Sequence, residues 1–151
     1  MRKFLYLFII LWLSFSSLNA NEMKFKKSLI VIKTQNSEYI FNVEVAETAS
    51  ERSRGLMYRE QLKQNEGMLF IYPERQIIKM WMKNTFIPLD MIFIDENGKI
   101  IKIIKMTTPK DLTPIGPEVK LKSVLEINGG LTSYLNINIG DKIIYPYLNG
   151  K

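Results

Sequence analysis

The sequence contains neither cysteine nor histidine. Without cysteine the chain can form no disulfide and no thiolate metal site, so its core has to be held by packing alone. Without histidine, Ser-His-Asp and Cys-His nucleophile activation and ordinary histidine-based zinc chemistry are excluded. The two absences together remove many of the commonest hydrolase and metal-binding chemistries.

Only the start of the chain carries a long apolar run. Arg2 and Lys3 precede the apolar residues 4–15, and Leu18-Asn19-Ala20 follows as a cleavage site, which is the pattern of a secretory signal peptide. A retained anchor is the alternative, but a membrane-spanning helix needs about 20 apolar residues and this run is shorter. We therefore predict a signal peptide at 1–20, an N-terminal tether at 21–27 and a single β-rich domain at 28–151. The expected location is outside the cytoplasm, in the periplasm.

The basic excess of the chain is mild and has no clustered stripe. The formal net charge is +6, and the lysines are spread along the whole sequence. Binding to nucleic acid would require a basic patch on one face, and an exported protein would rarely meet nucleic acid. We expect no nucleic-acid partner, and contact with a membrane only through an uncleaved signal segment.

Alternating apolar residues, bounded by turn residues, predict seven or eight strands. Asn97-Gly98 is a strong hairpin signal because both residues tolerate positive φ, so 91–95 should pair with 99–106. Other strands are predicted at 28–34, 39–46, 68–72, 78–83, 122–127 and 142–147. The proline-rich stretch 107–120 between two of them is predicted to be a long loop with a functional or covering role.

Two short helices are predicted among these strands. Thr48 and Glu51 have the spacing of a capping box, which predicts a helix at 49–54. Asn128 is predicted to cap a second helix that runs through Asn136, with Leu131, Tyr134 and Leu135 as its core stripe. The predicted fold class is α+β: a mostly antiparallel, barrel-like β-sheet with two short helices in a single domain.

The segment from Met80 to Asp90 is the chemically densest part of the sequence. Residues 78–83 alternate between apolar and polar or aromatic side chains, which indicates a strand that places Trp81 on the same face as Lys79 and Lys83. Pro88 then predicts a turn. Because the residues at 91–94 are all apolar, Asp90 is predicted to lie at the mouth of a central strand that is covered on both sides.

Five ordered blocks of this sequence resemble a known family. They read Arg54-Gly55-Leu56-Met57-Tyr58-Arg59, Gly67-Met68-Leu69-Phe70, Trp81-Met82-Lys83-Asn84-Thr85 with Ile87-Pro88-Leu89-Asp90, Val124-Leu125-Glu126-Ile127, and Gly140-Asp141. This pattern is similar to the bacterial and archaeal family called domain of unknown function 192. The resemblance implies a small α+β domain, often exported, with no established activity or cofactor. Members often carry a cysteine in the proline-rich loop, where this chain reads Thr113-Pro114-Ile115-Gly116-Pro117, so a thiol-based function would be absent.

Several polar side chains stand at the ends of predicted elements and could meet at one rim of the sheet. We predict that they form a ligand-binding pocket, walled or gated by the loop at 107–120. An aromatic plate beside cations suits a sugar-like or anionic small ligand. The leading hypothesis is therefore a non-enzymatic binding module. Its predicted site residues are Arg54, Trp81, Lys83, Asn84, Asp90 and Glu126.

Three other interpretations of the same residues are open. Asp90 and Glu126 could be the carboxylate pair of a glycosidase-like hydrolase, which would make them catalytic. The cluster could instead be structural, with Asn84 and Asp90 tying a turn and Glu126 paired with Arg54 or Lys83, in a scaffold or partner-binding domain. The methionines could bind Cu(I), but methionine is more commonly a core filler, so we predict no cofactor and no metal.

Overall fold

A computed structural model of the protein describes residues 23–145. The predicted signal peptide at 1–20 and the end of the predicted last strand, Pro146 and Tyr147, lie outside these residues. Within them no helix is long and apolar enough to cross a membrane. The described residues form seven strands and two helices: β1 Lys26–Lys33, β2 Glu38–Ala46, α1 Ala49–Arg54, β3 Glu66–Ile77, β4 Leu89–Ile94, β5 Ile100–Ile104, β6 Lys120–Asn128, α2 Leu131–Tyr134 and β7 Lys142–Ile144.

The seven strands form one nearly closed, barrel-shaped sheet. Their order is β5-β4-β6-β3-β2-β1-β7, and the pairs are antiparallel except for the parallel pair β2–β3. The two edge strands approach each other, because Lys99 bridges Lys142 and the Ile143 N–H donates to the Gly98 carbonyl at 2.7 Å. The predicted α+β class, with a mostly antiparallel and barrel-like sheet, is confirmed.

Buried apolar side chains form two layers on opposite faces of this sheet. The inner layer fills the barrel and draws on all seven strands, and within it Ile92 of β4 is opposite Leu125 of β6. The outer layer covers one side of β3, β4 and β6, where Leu56 and the extended segment 78–82 pack over Met68 and Met91. Strands β4 and β6 are therefore covered on both faces, which explains the nearly continuous apolar sequence of β4 and the buried run from Ser123 to Ile127 in β6.

The local turn and capping signals predict their elements correctly. The Thr48 hydroxyl accepts from the Glu51 N–H at 3.2 Å, and the Glu51 carboxylate accepts from the Thr48 N–H at 2.8 Å, so the capping box is present and α1 has the predicted bounds. This geometry also lowers the pKa of Glu51, because its carboxylate accepts hydrogen bonds from the backbone of Thr48 and Glu47. The hairpin at Asn97-Gly98 connects β4 to β5 as predicted.

Gly67 occupies a position where two strands approach closely. A Cβ at this residue would lie 2.5 Å from the Glu126 carbonyl oxygen on the adjacent strand β6. A side chain would therefore push β3 away from β6, and the absence of one allows the tight pairing of these central strands. Gly67 belongs to one of the five sequence blocks, and this close approach gives that glycine a physical role.

The predicted strand at 78–83 is wrong, although its alternating burial is confirmed. Ile78, Met80 and Met82 are buried while the residues between them are exposed. The segment is extended but lies off the sheet: Met80 pairs with Ile115 in an isolated bridge, and the Met82 N–H donates to the Asp111 carbonyl at 2.9 Å. Its partner is thus the loop at 107–120, which has no regular strand or helix before β6 begins at Lys120 and which holds the segment over the outer layer.

The predictions for α2 and for the tether need correction. The helix spans only Leu131–Tyr134 and its N-cap is Gly130, because the Asn128 amide instead donates to the carbonyls of Leu62 and Lys63 at 2.9 and 3.1 Å. Tyr134 is 82% exposed and is no part of a core stripe, whereas Leu131 is buried. Strand β1 begins at Lys26, inside the segment predicted to be a tether.

Candidate functional site

The sheet separates the two acids that the sequence suggested as a pair. Asp90 is opposite Ile127 in the β4–β6 ladder, and its neighbour Met91 is opposite Glu126. Residues that are directly opposite share a face, and successive residues alternate between faces. Asp90 therefore points to the inner side of the sheet and Glu126 to the outer side. A hydrolase that uses these two carboxylates together has no support from this geometry, since both would have to flank one bond.

Asp90 is a buried anchor for the backbone rather than a group that lines a pocket. It is fully buried, and its carboxylate accepts from the N–H groups of Met106, Gly130 and Thr132, each at 2.9 Å. The Thr132 hydroxyl donates to it as well, at 2.5 Å. These hydrogen bonds attach the start of α2 and the end of the β5 segment to strand β4. Asp90 therefore has a structural role, as one of the interpretations predicted. The backbone that it holds belongs to Met106, Gly130 and Thr132, however, and not to the turn before Asp90.

Glu126 is also buried but has no such partners. It is 4% exposed and lies between Met68 of β3 and Met91 of β4 on the outer face. Within residues 23–145 no hydrogen bond or ion pair reaches its carboxyl group, so the predicted ion pair with Arg54 or Lys83 is wrong. Burial raises the pKa of the Glu126 carboxyl from 4.5 to about 8, because the charged form loses its hydration without gaining a cation.

A cavity of about 310 Å³ opens beside Glu126. It lies between α1, strand β3 and the extended segment 78–82, which means that the outer apolar layer has a hollow where Glu126 emerges. Arg54, Trp81 and Glu126 of the predicted site come together here. Its lining residues are Ala49, Arg52, Ser53, Arg54, Gly55, Leu56, Met57, Phe70, Tyr72, Lys79, Met80, Trp81 and Glu126.

Arg52 and Tyr72 are among the lining residues that were not predicted from the sequence. The Arg52 guanidinium donates to the Ile71 carbonyl at 3.0 Å and to the Glu47 carbonyl, and it stacks 4.8 Å from the centre of the Tyr72 ring. The pKa of Tyr72 is raised, mainly by burial. The nearby Arg52 lowers this pKa, and Glu126 raises it. Tyr72 shares a strand face with Met68 and Phe70, so the period-two pattern of β3 could have indicated its position.

Trp81 forms the half-exposed wall of the cavity. It is 48% exposed, and the Lys83 ammonium lies 5.1 Å from the centre of its ring, so the predicted placement beside a lysine is confirmed. Lys83 itself does not line the cavity. Lys79, on the other side of Trp81, forms an ion pair with Glu118 and donates to the Gly116 carbonyl at 2.8 Å. The loop at 107–120 thus holds a cavity residue in place without contributing to the lining.

Asn84 has a local structural role. Its φ of 51° is left-handed, a conformation that asparagine tolerates better than most residues. Its side-chain amide donates to the Tyr58 hydroxyl at 2.8 Å, and its backbone carbonyl accepts from the Tyr58 N–H at 2.8 Å. The Arg54 guanidinium stacks on Tyr58, 4.8 Å from the centre of its ring. Asn84 therefore positions the wall behind Arg54 and does not reach the cavity.

The methionines near these motifs are packing residues. Met68, Met80, Met82 and Met91 all belong to the buried outer layer. The sulfur of Met82 also accepts from the Thr107 hydroxyl at 3.1 Å. Their dispersal over three separate segments is typical of adaptable core filling.

A larger groove of about 1120 Å³ lies elsewhere, between β2, α2 and the link before β3. It is more voluminous than the cavity at Glu126, but its acidic residues Glu38 and Glu60 are exposed, and Glu38 forms an ion pair with Lys33 at 3.3 Å. The smaller cavity is the better candidate site because a buried polar group without a partner lies against it.

These features define a small barrel-like α+β domain with a hollow on the outer face of its sheet. Residues 30–145 match the family model of domain of unknown function 192, described as an uncharacterized ACR. The match covers most of the chain, so the protein belongs to this family, as the five sequence blocks predicted.

Relatives of the chain match it over most of their length. A UPF0127 protein of Thermococcus sibiricus is 26% identical over 117 residues, which are 76% of this chain and 73% of that protein. A crystal structure from Sinorhizobium meliloti 1021, provisionally described as a transcription regulator, is 35% identical with a TM-score of 0.80, covering 82% of this chain and 96% of its own. A protein of unknown function from Novosphingobium aromaticivorans is also 35% identical, with a TM-score of 0.77 over 79% of this chain and 85% of that one.

Proposed function

We propose that this protein is an exported, non-enzymatic module that binds a small ligand in the cavity beside Glu126. One observation carries the proposal: the carboxyl group of Glu126, a residue that is 4% exposed, has no hydrogen-bond partner within residues 23–145 and lies against a cavity. An unpaired buried polar group costs roughly 1–3 kcal/mol, which a ligand that completes its hydrogen bonds would recover. Ligand-binding sites commonly combine apolar walls with a few polar groups of this kind.

The other cavity residues support binding more than catalysis. The Arg54 guanidinium has no hydrogen bond or ion pair among the described residues, and Trp81 is half exposed, so both can contact a ligand without first breaking a hydrogen bond. Asp90, which would be the second acid of a hydrolytic pair, is on the other face of the sheet and fully engaged. A single carboxyl among arginines and aromatic rings is better suited to recognising a ligand than to cleaving a glycosidic bond.

A thermal-shift screen tests this function. The purified protein is heated with sugars, peptidoglycan fragments, organic and inorganic anions, and Cu(I). We expect at least one class of compound to raise the melting temperature, since a ligand of the folded state stabilises it by mass action. Trp81→Ala should then weaken binding by about tenfold, because it removes one aromatic wall.

The matched control is Tyr134→Ala, which removes an aromatic side chain that is 82% exposed and does not line the cavity. This variant should respond to the ligand as the unmodified protein does. A screen without any stabilising compound would contradict the proposal, as would an equal loss of response in the two variants.

Export rests on the first twenty residues. Their basic start, apolar run and Leu18-Asn19-Ala20 site have the organisation of a cleaved signal. In a bacterial host, we expect the protein in the periplasmic fraction, with Asn21 as the first residue by mass spectrometry. Full-length protein in the cytosolic fraction would contradict export, while full-length protein in the membrane fraction would indicate a retained anchor.

A further inference from the structure

The polar groups that remain free in the cavity at Glu126 are mostly hydrogen-bond donors. The Arg54 guanidinium and the Trp81 indole N–H have no acceptor among the described residues. Glu126 in its protonated form adds an O–H donor, again without an acceptor in residues 23–145. The Ser53 hydroxyl can act either way, and the Tyr72 hydroxyl already donates to the Met80 sulfur at 3.8 Å. A ligand that satisfies this set has to be rich in acceptors.

The charges around the cavity also favour a ligand that is rich in hydrogen-bond acceptors. Arg52 and Arg54 form no ion pair within the described part of the chain, whereas Lys79 is neutralised by Glu118. The lining therefore keeps two guanidinium charges, against one buried carboxyl that loses its charge readily. A cationic ligand would meet repulsion at this cavity, while an anion would gain hydrogen bonds from a guanidinium that is free to adopt bidentate geometry.

The remaining walls are apolar and limit the size of the ligand. Leu56, Met57, Phe70 and Met80 enclose a volume of about 310 Å³, which is at the lower end of ligand pockets. Such walls favour a ligand with a hydrocarbon part over a fully hydrated inorganic ion, whose desolvation they would not compensate.

From these observations we infer that the ligand is a small organic carboxylate, whose oxygens accept hydrogen bonds from the Arg54 guanidinium and from the protonated carboxyl of Glu126. This inference rests on the proposed binding function and specifies the chemical class of its ligand. Two carboxyl groups that share one proton form a strong hydrogen bond, whereas two carboxylates at the same distance repel each other. The ligand and one proton should therefore bind together.

The groups around Glu126 place this proton on it. Arg52 and Arg54 approach from α1, Tyr72 from β3 and Lys79 from the segment 78–82, while the flanking residues Met68 and Met91 are uncharged. The pKa of Tyr72 is raised further above its usual 10, and burial raises the pKa of Glu126 to about 8. Glu126 is therefore the site of proton uptake near neutral pH.

Calorimetric titration with three matched probes tests the inference. Butyrate, butyramide and butylamine have similar shapes but carry an anion, a neutral amide and a cation. We expect butyrate to bind most tightly and butylamine not to bind. Butyrate affinity should fall by about tenfold per pH unit above the pKa of Glu126, because one proton is taken up for each ligand.

Two variants separate the roles of the two groups. Glu126→Gln keeps a donor but cannot titrate, so butyrate should still bind, with an affinity that no longer depends on pH between about pH 6 and pH 9. Arg54→Met should weaken butyrate binding by about tenfold or more, whereas Arg75→Met, at an arginine paired with the exposed Glu96, should not.

Butyramide or butylamine binding as tightly as butyrate would overturn the carboxylate assignment but leave the binding function intact. The absence of binding by all three probes would also overturn it, and the wider screen described above would then decide separately whether the cavity binds anything else. Butyrate binding that is unchanged in Arg54→Met, or independent of pH in the unmodified protein, would overturn the roles given to Arg54 and Glu126.

Discussion

Glu126→Gln is expected to stabilise the protein at pH 8 and to have little effect on its stability at pH 4. The folded protein holds the Glu126 proton up to a pKa of about 8, while the unfolded chain releases it near the ordinary value of 4.5. Between these values the folded state binds more protons than the unfolded state, so the free energy of unfolding falls as the pH rises. The free energy of unfolding should fall by about 1 kcal/mol per pH unit, and by on the order of 4 kcal/mol over the whole range.

Urea denaturation at a series of pH values measures this effect. The unmodified protein should lose stability from about pH 5 to pH 8, and Glu126→Gln should remove most of that loss. The chain has no histidine, so few other side chains titrate in this window. Glu38→Gln, at an exposed glutamate, is the control and should leave the slope unchanged. A stability that is constant or rises over this range would contradict the assignment of a buried, unpaired Glu126.

Asp90→Ala is expected to lower the free energy of unfolding by about 3–5 kcal/mol. The carboxylate accepts from three buried or partly buried backbone N–H groups and from the Thr132 hydroxyl, and alanine would leave all of them without this partner. The start of α2 would then lose its hydrogen bonds to the side chain of Asp90 in β4. Asp90→Asn should have a smaller effect in the same direction, because its amide nitrogen cannot accept one set of these hydrogen bonds.

The control for Asp90 is Asp111→Ala, which removes an exposed carboxylate that accepts from the Thr113 N–H at 2.8 Å and should change stability little. Asp90→Asn, where enough of it folds, should also bind ligand with unchanged affinity, since Asp90 faces the other side of the sheet. Equal denaturation midpoints for Asp90→Ala and Asp111→Ala would contradict the anchoring role.

The elements that sequence predicts well here are those specified by neighbouring residues. The bounds of α1 follow from a capping box of four residues, and the β4–β5 hairpin follows from Asn97-Gly98. The segment 78–83 shows where local information ends. Its alternation correctly predicts which side chains are buried, but a period of two indicates only extended backbone, and Met80 pairs with Ile115 of the loop instead of a strand.

The candidate site was only partly predictable for a related reason. Arg54, Trp81 and Glu126 do line one cavity, but whether Asp90 joins them depends on the register of β4 against β6, and a shift of one residue would reverse the face. The register of two strands is set by contacts between residues that are distant in sequence. Such contacts cannot be read from one amino-acid sequence. Arg52 escaped prediction because either arginine of such a short helix could face the sheet.

The position of the hollow outside the barrel has a consequence for protein engineering. Its walls come from a six-residue helix, the three residues that follow this helix, and an extended segment that lies off the sheet, whereas strands β3 and β6 supply only its floor. Side chains such as Ser53, Met57 and Trp81 can therefore be exchanged while the register of the strands is preserved, and for the proposed binding function such exchanges should alter ligand selectivity. The same barrel could in this way serve as a platform for sensors of different metabolites.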